Sequence, residues 1–295
     1  MTRRRELRDR IASLGEIDEI LTAMKNLALV EVRRIEAFIR AQRAAVAVIE
    51  DAAADFRADR SRMLGTLPPT RDVLCLVGSE RGFCGDFNPR VLEAARRWQG
   101  AHQPPAAVLV VGERLHTIWD SGPAHAVPGA GVADEVPAVL QALVASLPTL
   151  LAIGEDARAT AGMVVIYQAE HAVVTRRLLP LPEPAAQPAK RPYPLTLNLP
   201  PARFFAELTD QYLYAAMQHA LYESLLEENR RRLNHMEHAV HKLREDLEAL
   251  AKRRNRLRQE EITEEIEVIL LNAVQPGVER IGAEPGAITR DIGPP

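Results

Sequence analysis

The sequence has few cysteines and few aromatic residues, and both shortages limit the kind of protein it can be. Only Cys75 and Cys84 are present among 295 residues. They have no second cysteine pair and no nearby histidine at ligand spacing, so we expect no metal site and two free thiols, with a disulfide as the alternative. Aromatic residues make up 4% of the chain. Together with abundant alanine, leucine, arginine and glutamate, this indicates long helices rather than a β-rich fold.

The sequence also lacks an excess of basic charge and an uninterrupted apolar run. The net charge is -3 and the basic runs are interleaved with acidic residues, which excludes a general nucleic-acid-binding protein. The N-terminal segment is basic, but no apolar stretch follows it as a secretory signal would require. Residues 136–154 carry no charge, yet polar residues and Pro148 interrupt them. Because Pro148 would end or kink a helix, we favour a buried helix in a soluble chain over a membrane span.

Proline is absent before Pro68, and the first sixty residues repeat one pattern. Apolar side chains recur every three or four residues, or every seven, which is the spacing of a coiled-coil seam. Residues 205–273 repeat this pattern, and Pro276 with Gly277 would end that second helix. Neither helix could keep its seam exposed to water, so we expect the two helices to pack on each other in antiparallel orientation.

The middle of the chain has the pattern of an α/β unit. Short apolar runs rich in β-branched residues predict strands at 73–77, 107–111 and 163–167, with a further candidate at 173–179. Helical stretches are predicted near 89–98 and 136–147. Dense prolines at 181–202 exclude both a helix and a central strand there. We therefore expect a small α/β unit placed between two much longer helices.

A glycine-containing loop follows the first predicted strand, in the segment VLCLVGSERGFCGDFN at residues 73–88. A strand, a glycine-rich turn and a helix in this order often bind phosphate at the helix N-terminus. A Walker-type loop ends in Gly-Lys-Ser/Thr, whereas here Asp86 and Phe87 follow Gly85. An acidic residue at this position would repel phosphate. We therefore predict a tight turn that positions a contact surface, and no bound nucleotide or other cofactor.

Three motifs, in sequence order, carry a family resemblance. They are LTAMKNLALVEVRRIEAF at residues 21–38, SERGFCGDFN at residues 79–88 and NRLRQEEITEEIEVILLNAV at residues 255–274. All three resemble signatures of the gamma subunit of F-type ATP synthases. With the arrangement of helix, α/β unit and helix, the resemblance covers almost the whole chain. Asp86 in place of the family's second glycine, and a long tail after Pro276, are typical of a divergent member.

The resemblance implies a fold and a domain organisation. The fold class is α/β with long helices: an antiparallel coiled coil of the N- and C-terminal helices, with a small Rossmann-like α/β domain at its base. The implied divisions are an N-terminal coiled-coil helix at 1–60, an α/β foot domain at 70–180, a proline-rich connection at 181–202, a C-terminal coiled-coil helix at 203–275 and a disordered tail at 276–295.

The resemblance also implies a function. Such a subunit is the central stalk that turns inside a hexamer of alpha and beta subunits and carries torque between that hexamer and a membrane ring of c-subunits. It has no catalytic residue of its own, and the c-ring and an epsilon-type subunit contact its foot. It couples the transport of an ion, either a proton or sodium, to ATP synthesis or hydrolysis at the cytoplasmic face of the inner membrane, and it meets the membrane only through the c-ring.

Candidate contact residues follow from the resemblance in two groups. Contacts with the hexamer are implied for Met24, Lys25, Asn255, Arg258, Gln259, Ile262, Thr263, Glu264, Ile266 and Ile269. Contacts with the c-ring and the epsilon-type subunit are implied for Arg81, Gly82, Phe83, Cys84, Gly85 and Asn88. Periodicity alone favours plainer interpretations for some of them, namely a solvated charged face around Arg258 and Gln259 and a core position for Met24.

The last part of the second helix predicts an enclosing partner independently of the resemblance. Ile262, Ile266 and Ile269 lie beyond the expected end of the shorter helix and would be exposed on a lone helix. We therefore expect other subunits to supply an apolar sleeve. The main alternative is a coiled-coil scaffold or tether outside any hexamer. A small α/β enzyme with helical arms is less favoured, because no catalytic constellation is found around the α/β loops.

Charged side chains on the second helix leave two interpretations open. The arginine triplet at 230–232 could pair with Glu227 and Glu228 within the helix, or it could face acidic segments of the surrounding beta subunits. Three histidines at 235, 238 and 241 recur at helical spacing, and without a carboxylate constellation we interpret them as exposed surface.

Overall fold

The computed structural model describes residues 2–60, 71–151, 161–181 and 195–274. In chain order the elements are α1 (Thr2–Arg60), β1 (Arg71–Val77), α2 (Phe87–Ala101), β2 (Ala107–Val111), α3 (Glu113–Ile118), β3 (His125–Val127), α4 (Val136–Leu151), β4 (Ala161–Ala169), β5 (Ala172–Leu179) and α5 (Pro201–Val274). A 3₁₀ turn at Ala133–Glu135 precedes α4. Most of the predicted proline-rich connection and the predicted tail at 276–295 lie outside the described residues.

The five strands form one sheet in the order β3-β2-β1-β4-β5. The first four are parallel to one another, and β5 returns antiparallel to β4. Successive side chains of a strand point to opposite faces. Val73, Cys75 and Val77 therefore join the core formed with α1, α4 and α5, whereas Leu74 and Leu76 join the core formed with α2. Because both faces of the sheet are covered, its strands are almost continuously apolar.

The sheet confirms the α/β prediction and adds two elements to it. The predicted strands are β1, β2 and β4, and the further candidate at 173–179 is β5. The sequence missed β3 and α3, which span three and six residues, because elements this short give little periodic signal.

The predicted buried helix at 136–147 is α4. Of the two effects predicted for Pro148, an end or a kink of the helix, the first was wrong. The helix continues to Leu151. A proline removes one helical hydrogen bond. Four buried leucines, at positions 140, 143, 147 and 150, pack α4 onto the sheet and outweigh that loss. Of the helices in the described residues, none is both long enough and apolar enough for a membrane span.

Within residues 17–243, α1 and α5 run antiparallel. In the ion pairs that join the two helices, residue numbers rise along α1 as they fall along α5. The pairs are Lys25 with Glu237 at 3.7 Å, Glu36 with Arg230 at 2.6 Å and Arg43 with Glu223 at 2.6 Å. Further along, the ring of Phe56 stacks on that of Phe205, with 5.7 Å between centroids. The predicted antiparallel pairing of the two long helices is therefore confirmed.

The middle part of α5, residues 219–229, is buried on every side. Arg43 of α1 contacts it from one direction, and the turn between β4 and β5 contacts it from another. Four of its buried side chains are nevertheless histidine or glutamate: His219, Glu223, Glu227 and Glu228. Buried charges are costly unless they are paired, and the partners of these groups come both from α5 itself and from the elements around it.

Of the described residues, 2–16 and 244–274 form a second compact unit. In this unit Arg4 Nη1 donates a hydrogen bond to Glu261 Oε2 at 2.7 Å, which joins the beginning of α1 to the later part of α5. Beyond Glu261 the large apolar side chains of α5 are exposed, from 45% for Ile262 to 69% for Leu271. This confirms the expectation that the apolar side chains near the end of α5 are exposed, with no described residue of the chain covering them.

Candidate functional site: the contact loop and the apolar helix end

The sheet has a topological switch point at β1. The chain moves from β1 to β2 on one side, and later adds β4 on the other side. In doubly wound folds, ligands bind beyond the carboxyl ends of the strands at such a point. In this protein, two segments follow the carboxyl ends of the strands at the switch point. They are residues 78–86, which we call the contact loop, and the turn between β4 and β5.

The turn between β4 and β5 is anchored to the helix pair. Glu170 and His171 both have positive φ angles, of 48° and 68°, which non-glycine residues rarely adopt. Glu170 accepts a hydrogen bond from Arg43 Nη2 at 2.6 Å, and His171 Nδ1 lies 3.1 Å from Glu227 Oε1. These side-chain contacts with α1 and α5 support the strained turn, so α5 covers the switch point.

Asp86 occupies the position where a phosphate-binding loop would hold its ligand. It precedes the first residue of α2, and the positive end of that helix attracts an anion. The Asp86 carboxylate pairs with the guanidinium of Arg231 from α5, and Arg231 also donates to Glu227 at 3.0 Å. An ion pair between the contact loop and α5 thus lies at the place where the sequence pattern raised the question of phosphate binding.

Two of the residues predicted for partner contacts, Cys84 of the contact loop and Asn88 of α2, hold the shape of the loop. The Ser79 N–H donates to Asn88 Oδ1 at 2.9 Å, and Asn88 Nδ2 donates to Ser79 Oγ at 2.8 Å. Cys84 Sγ lies 3.3 Å from the same hydroxyl oxygen. All three residues are buried. The side chains of Asn88 and Cys84 are therefore directed into the fold, where they support the conformation of the loop.

Both cysteines are free, as the sequence predicted. Burial raises the pKa of the Cys75 thiol to about 12 and also raises the pKa of Cys84. A thiol reacts as its thiolate, so raised pKa values make both groups unreactive at neutral pH.

The outer side of the contact loop presents Phe83 to solvent. The ring of Phe83 is 56% exposed, and its φ angle is +64°. A bulky residue in this region of backbone space costs on the order of 1–3 kcal/mol. Arg81 is exposed as well, with its guanidinium placed over Gly131, where a Cβ would approach Arg81 Nε to 2.6 Å. Gly85 is exposed at φ +62°.

Two residues that the sequence did not assign to the site support the contact loop from below. Glu228 and Arg232 form a buried ion pair on α5, and they are 2% and 5% exposed. Arg232 Nε donates to the carbonyl oxygen of Gly82 at 3.2 Å. The backbone N–H groups of Glu80 and Arg81 donate to Glu228. The spacing of four residues between Glu228 and Arg232 could have indicated their ion pair from the sequence. Nothing in the sequence indicated that the pair would contact the loop.

The arginine triplet pairs with four carboxylates, one of which, Asp86, is described above. Arg231 pairs with Glu227 and Arg232 pairs with Glu228, which confirms the interpretation as pairs within the helix for these two. Arg230 instead pairs with Glu36 of α1 at 2.6 Å. The histidines at 235, 238 and 241 are exposed, as predicted.

The residues predicted for hexamer contacts fall into two groups. In the unit of residues 17–243, Met24 is half-buried and Lys25 pairs with Glu237. In the other unit, the predicted residues of α5 are exposed: Asn255, Arg258, Gln259, Ile262, Thr263, Glu264, Ile266 and Ile269. Polar and apolar side chains alternate along this exposed part, which suits a surface that contacts protein.

The fold and these sites define a class: an α/β domain carried on an antiparallel helix pair, with exposed features suited to contacts with other proteins. A family model described as ATP synthase matches residues 3–273, and the chain belongs to that family. Its sequence is 25% identical over 280 residues to the ATP synthase gamma chain of Moorella thermoacetica, covering 92% of this chain and 99% of that protein. The resemblance stated from the three motifs is thereby confirmed.

Other relatives and solved structures agree. The ATP synthase gamma chain of Mycolicibacterium vanbaalenii is 25% identical over 310 residues, covering 90% of this chain and 95% of that protein. A chain from the Euglena gracilis mitochondrial ATP synthase, in a structure of OSCP, F1 and c-ring, aligns at TM-score 0.57 and 14% identity over 96% of this chain and 99% of its own. A chain from the Tetrahymena thermophila central stalk and c-ring gives 0.53 and 16%, over 75% of this chain and 99% of its own. At these identities the structural likeness supports the fold.

Proposed function

We propose that this protein is the central-stalk rotor of a rotary F-type ATP synthase. The observation that carries the proposal is the run of exposed apolar side chains at the end of α5, which reach 69% exposure at Leu271. A helix end of this kind in water needs an apolar enclosure. In a chain that belongs to the ATP synthase family, a ring of alpha and beta subunits supplies one.

The fold suits the transmission of torque. The helix pair is joined at intervals by ion pairs and stacked aromatic rings, and α5 is joined to the sheet domain by buried polar contacts. A rotation applied to the sheet domain is therefore passed to the helices without a flexible connection. The chemistry of ATP belongs to the beta subunits, and this chain contributes changing contact surfaces rather than catalytic groups.

The two contact regions have different roles in this proposal. The exposed residues of α5, from Asn255 to Ile269, contact the hexamer, and Arg258 and Gln259 supply hydrogen bonds to a beta-subunit loop. The contact loop, with Phe83 at its outer side, contacts the c-ring and an epsilon-type subunit. The protein then works at the cytoplasmic face of the inner membrane, coupling the movement of a proton or sodium ion to ATP synthesis or hydrolysis. Nothing in the described residues favours a scaffold or tether.

Co-expression with the alpha and beta subunits from the same source tests the proposal. We expect the chain to form a stable complex whose ATP hydrolysis depends on its presence. A truncation that ends before Leu257 should weaken both the complex and the hydrolysis. The matched control is a truncation after Val274, which removes a terminal segment but keeps all of α5 and should leave both unchanged. If no complex forms and the full chain remains a particle on its own, the rotor proposal is wrong.

A further inference from the structure

Two side chains of α5 hold the first part of the contact loop. The backbone N–H groups of Glu80 and Arg81 donate hydrogen bonds to the carboxylate of Glu228. The carbonyl oxygen of the next residue, Gly82, accepts a hydrogen bond from Arg232 Nε at 3.2 Å. Glu228 and Arg232 also pair with each other, and both are buried. Three consecutive residues of the loop are therefore fixed by contacts with α5.

The guanidinium of Arg232 uses all three of its nitrogens in these contacts. Besides the bond from Nε to the loop, Nη1 donates to Asn229 Oδ1 at 2.8 Å and Nη2 donates to Glu228. A guanidinium donates through a rigid planar fork, whereas the ammonium group of lysine is a single point charge. The hold on the loop therefore depends on the shape of the arginine side chain as well as on its charge.

The second part of the contact loop presents Phe83 to solvent in a strained conformation. Phe83 and Gly85 both have positive φ angles, of 64° and 62°, and both are exposed, while Cys84 between them is buried. This conformation is favourable for glycine and unfavourable for a bulky residue. An exposed aromatic side chain that its surroundings hold in a strained conformation indicates a functional constraint at that position.

We propose that Phe83 is the anchor through which this chain binds the c-ring, and that Glu228 and Arg232 are positioning residues that hold Phe83 ready for this contact. The inference rests on the proposed function, which assigns the contact loop to the foot of the rotor. A few aromatic and arginine side chains carry much of the affinity at protein interfaces, and fixing them beforehand reduces the entropy lost on binding. The partner surface that fits Phe83 and the exposed Arg81 is an apolar pocket with a carboxylate at its rim.

The connection of the loop to α5 favours the c-ring over the epsilon-type subunit as the partner of Phe83. In the proposed rotor, torque passes between the c-ring and the helix pair, so the residues that meet the c-ring must be joined firmly to α5. Along the chain, Phe83 lies between Gly82, which Arg232 holds, and Asp86, whose carboxylate pairs with Arg231. A force on the Phe83 side chain therefore reaches α5 directly, without passing through the sheet.

Binding to vesicles that carry the c-ring from the same source tests the inference, with this chain in complex with alpha and beta subunits. Phe83→Gly removes the side chain, and we expect it to weaken this binding at least about tenfold. The urea midpoint of the isolated Phe83→Gly chain should equal or exceed that of the parent, because glycine tolerates the positive φ angle. A residue that serves only the fold would give the opposite pattern. Val144→Ala, at an exposed apolar position of α4, should change neither measurement.

The positioning residues are tested through their dependence on Phe83. Arg232→Lys should weaken binding to the c-ring about tenfold when Phe83 is present, because lysine cannot replace the fork. In the Phe83→Gly background the same change should have no further effect, since no anchor remains to be positioned. Phe83→Leu keeps an apolar side chain and should restore part of the binding. Glu248→Gln, an exposed change on α5, should behave as the parent does in both backgrounds.

Three results would overturn the inference. They are unchanged binding to the c-ring in Phe83→Gly, a loss of binding confined to a purified epsilon-type subunit, and equal effects of Arg232→Lys with and without Phe83. If Arg232→Lys does not fold, Glu228→Gln takes its place, because it keeps an acceptor for the loop amides.

ATP hydrolysis by the complex with alpha and beta subunits tests the rotor proposal separately, since this assay needs no c-ring. Hydrolysis should be the same for Phe83→Gly and the parent. A parent chain that supports no hydrolysis would count against the rotor, whereas normal hydrolysis with unchanged c-ring binding in Phe83→Gly would count against the anchor alone.

Discussion

Glu223 illustrates how a single buried carboxylate is kept ionised in this protein. Burial opposes its charge, but hydrogen bonds and attraction from His219 and Arg43 outweigh burial and lower its pKa to about 2. The Arg43 guanidinium bridges Glu223 of α5 and Glu170 of the β4–β5 turn, at 2.6 Å from each. One residue of α1 therefore joins three elements of the fold.

At the residue scale, we predict that Arg43→Met destabilises the isolated chain in a pH-dependent way. Because the buried carboxylate loses one of its partners, the free energy of unfolding should fall by about 1–3 kcal/mol at pH 7. A lowered pKa means that the stabilisation is present above the ordinary value of 4.5 and is lost as the pH falls toward 2. The difference between parent and variant should therefore shrink over that range. Urea unfolding at pH 7, 4 and 2.5, followed by circular dichroism, measures it.

The matched control for Arg43→Met is Arg203→Met. Arg203 pairs with Glu207 on the exposed surface of α5, at 2.9 Å and four residues apart. Such pairs contribute about 0.2–0.5 kcal/mol. A loss of stability in Arg43→Met that stayed equal at pH 7 and pH 2.5 would mean that Arg43 acts through packing of its side chain rather than through its charge.

At the scale of elements, the junction between β2 and α3 depends on one glycine. Gly112 has a φ angle of +99°, and a Cβ there would lie 2.7 Å from the carbonyl oxygen of Ser79 and 2.8 Å from that of Gly78. Its N–H donates to the carbonyl oxygen of Val127 at the end of β3. The close approach of three chain segments at the carboxyl edge of the sheet therefore requires a residue without a side chain.

We predict that Gly112→Ala destabilises the chain by at least about 1–2 kcal/mol, because alanine is strained at positive φ and its methyl group would push against the contact loop. Chemical unfolding measures the loss. Gly100→Ala is the control, since no atom lies within 4 Å of the added Cβ and helix α2 should gain up to about 1 kcal/mol. Equal effects of the two changes would contradict the prediction.

At the scale of the whole molecule, apolar residues of α5 serve two purposes. Met236 has no exposed surface, and it packs within the chain. Ile269 is 65% exposed, and no described residue of the chain covers it. The same helix thus holds its own fold together in one part and offers an apolar surface in another.

We predict opposite results for Met236→Ala and Ile269→Ala. In the isolated chain, Met236→Ala should cost about 2–5 kcal/mol of unfolding free energy, while Ile269→Ala should stay within about 0.5 kcal/mol of the parent. In the complex with alpha and beta subunits, Ile269→Ala should lower the chain-dependent ATP hydrolysis. Urea unfolding and the hydrolysis assay provide the two measurements. An unchanged hydrolysis rate in Ile269→Ala would argue against an apolar sleeve at that position.

Much of the architecture was predictable because it depends on long-range periodicity in the sequence. Coiled-coil spacing predicted α1 and α5, and β-branched runs predicted β1, β2 and β4. Short elements such as β3 gave no comparable signal, since their position is fixed by pairing with β2 rather than by their own residues. The end of α4 was misplaced for a related reason, because the packing of its leucines onto the sheet compensates for Pro148.

The amino-acid sequence by itself determined which of the longer segments become helices and strands, which family the chain belongs to, and that the end of one helix would carry apolar residues without a partner in the chain. These properties reside in local composition and spacing. Only the tertiary structure decided which side chains of the contact loop face inward and which face water. It also placed Glu228 and Arg232, about 150 residues further along the chain, beneath that loop. Such contacts depend on the packing of α5 against the sheet. The local sequence pattern of either segment does not indicate which residues of the other it contacts.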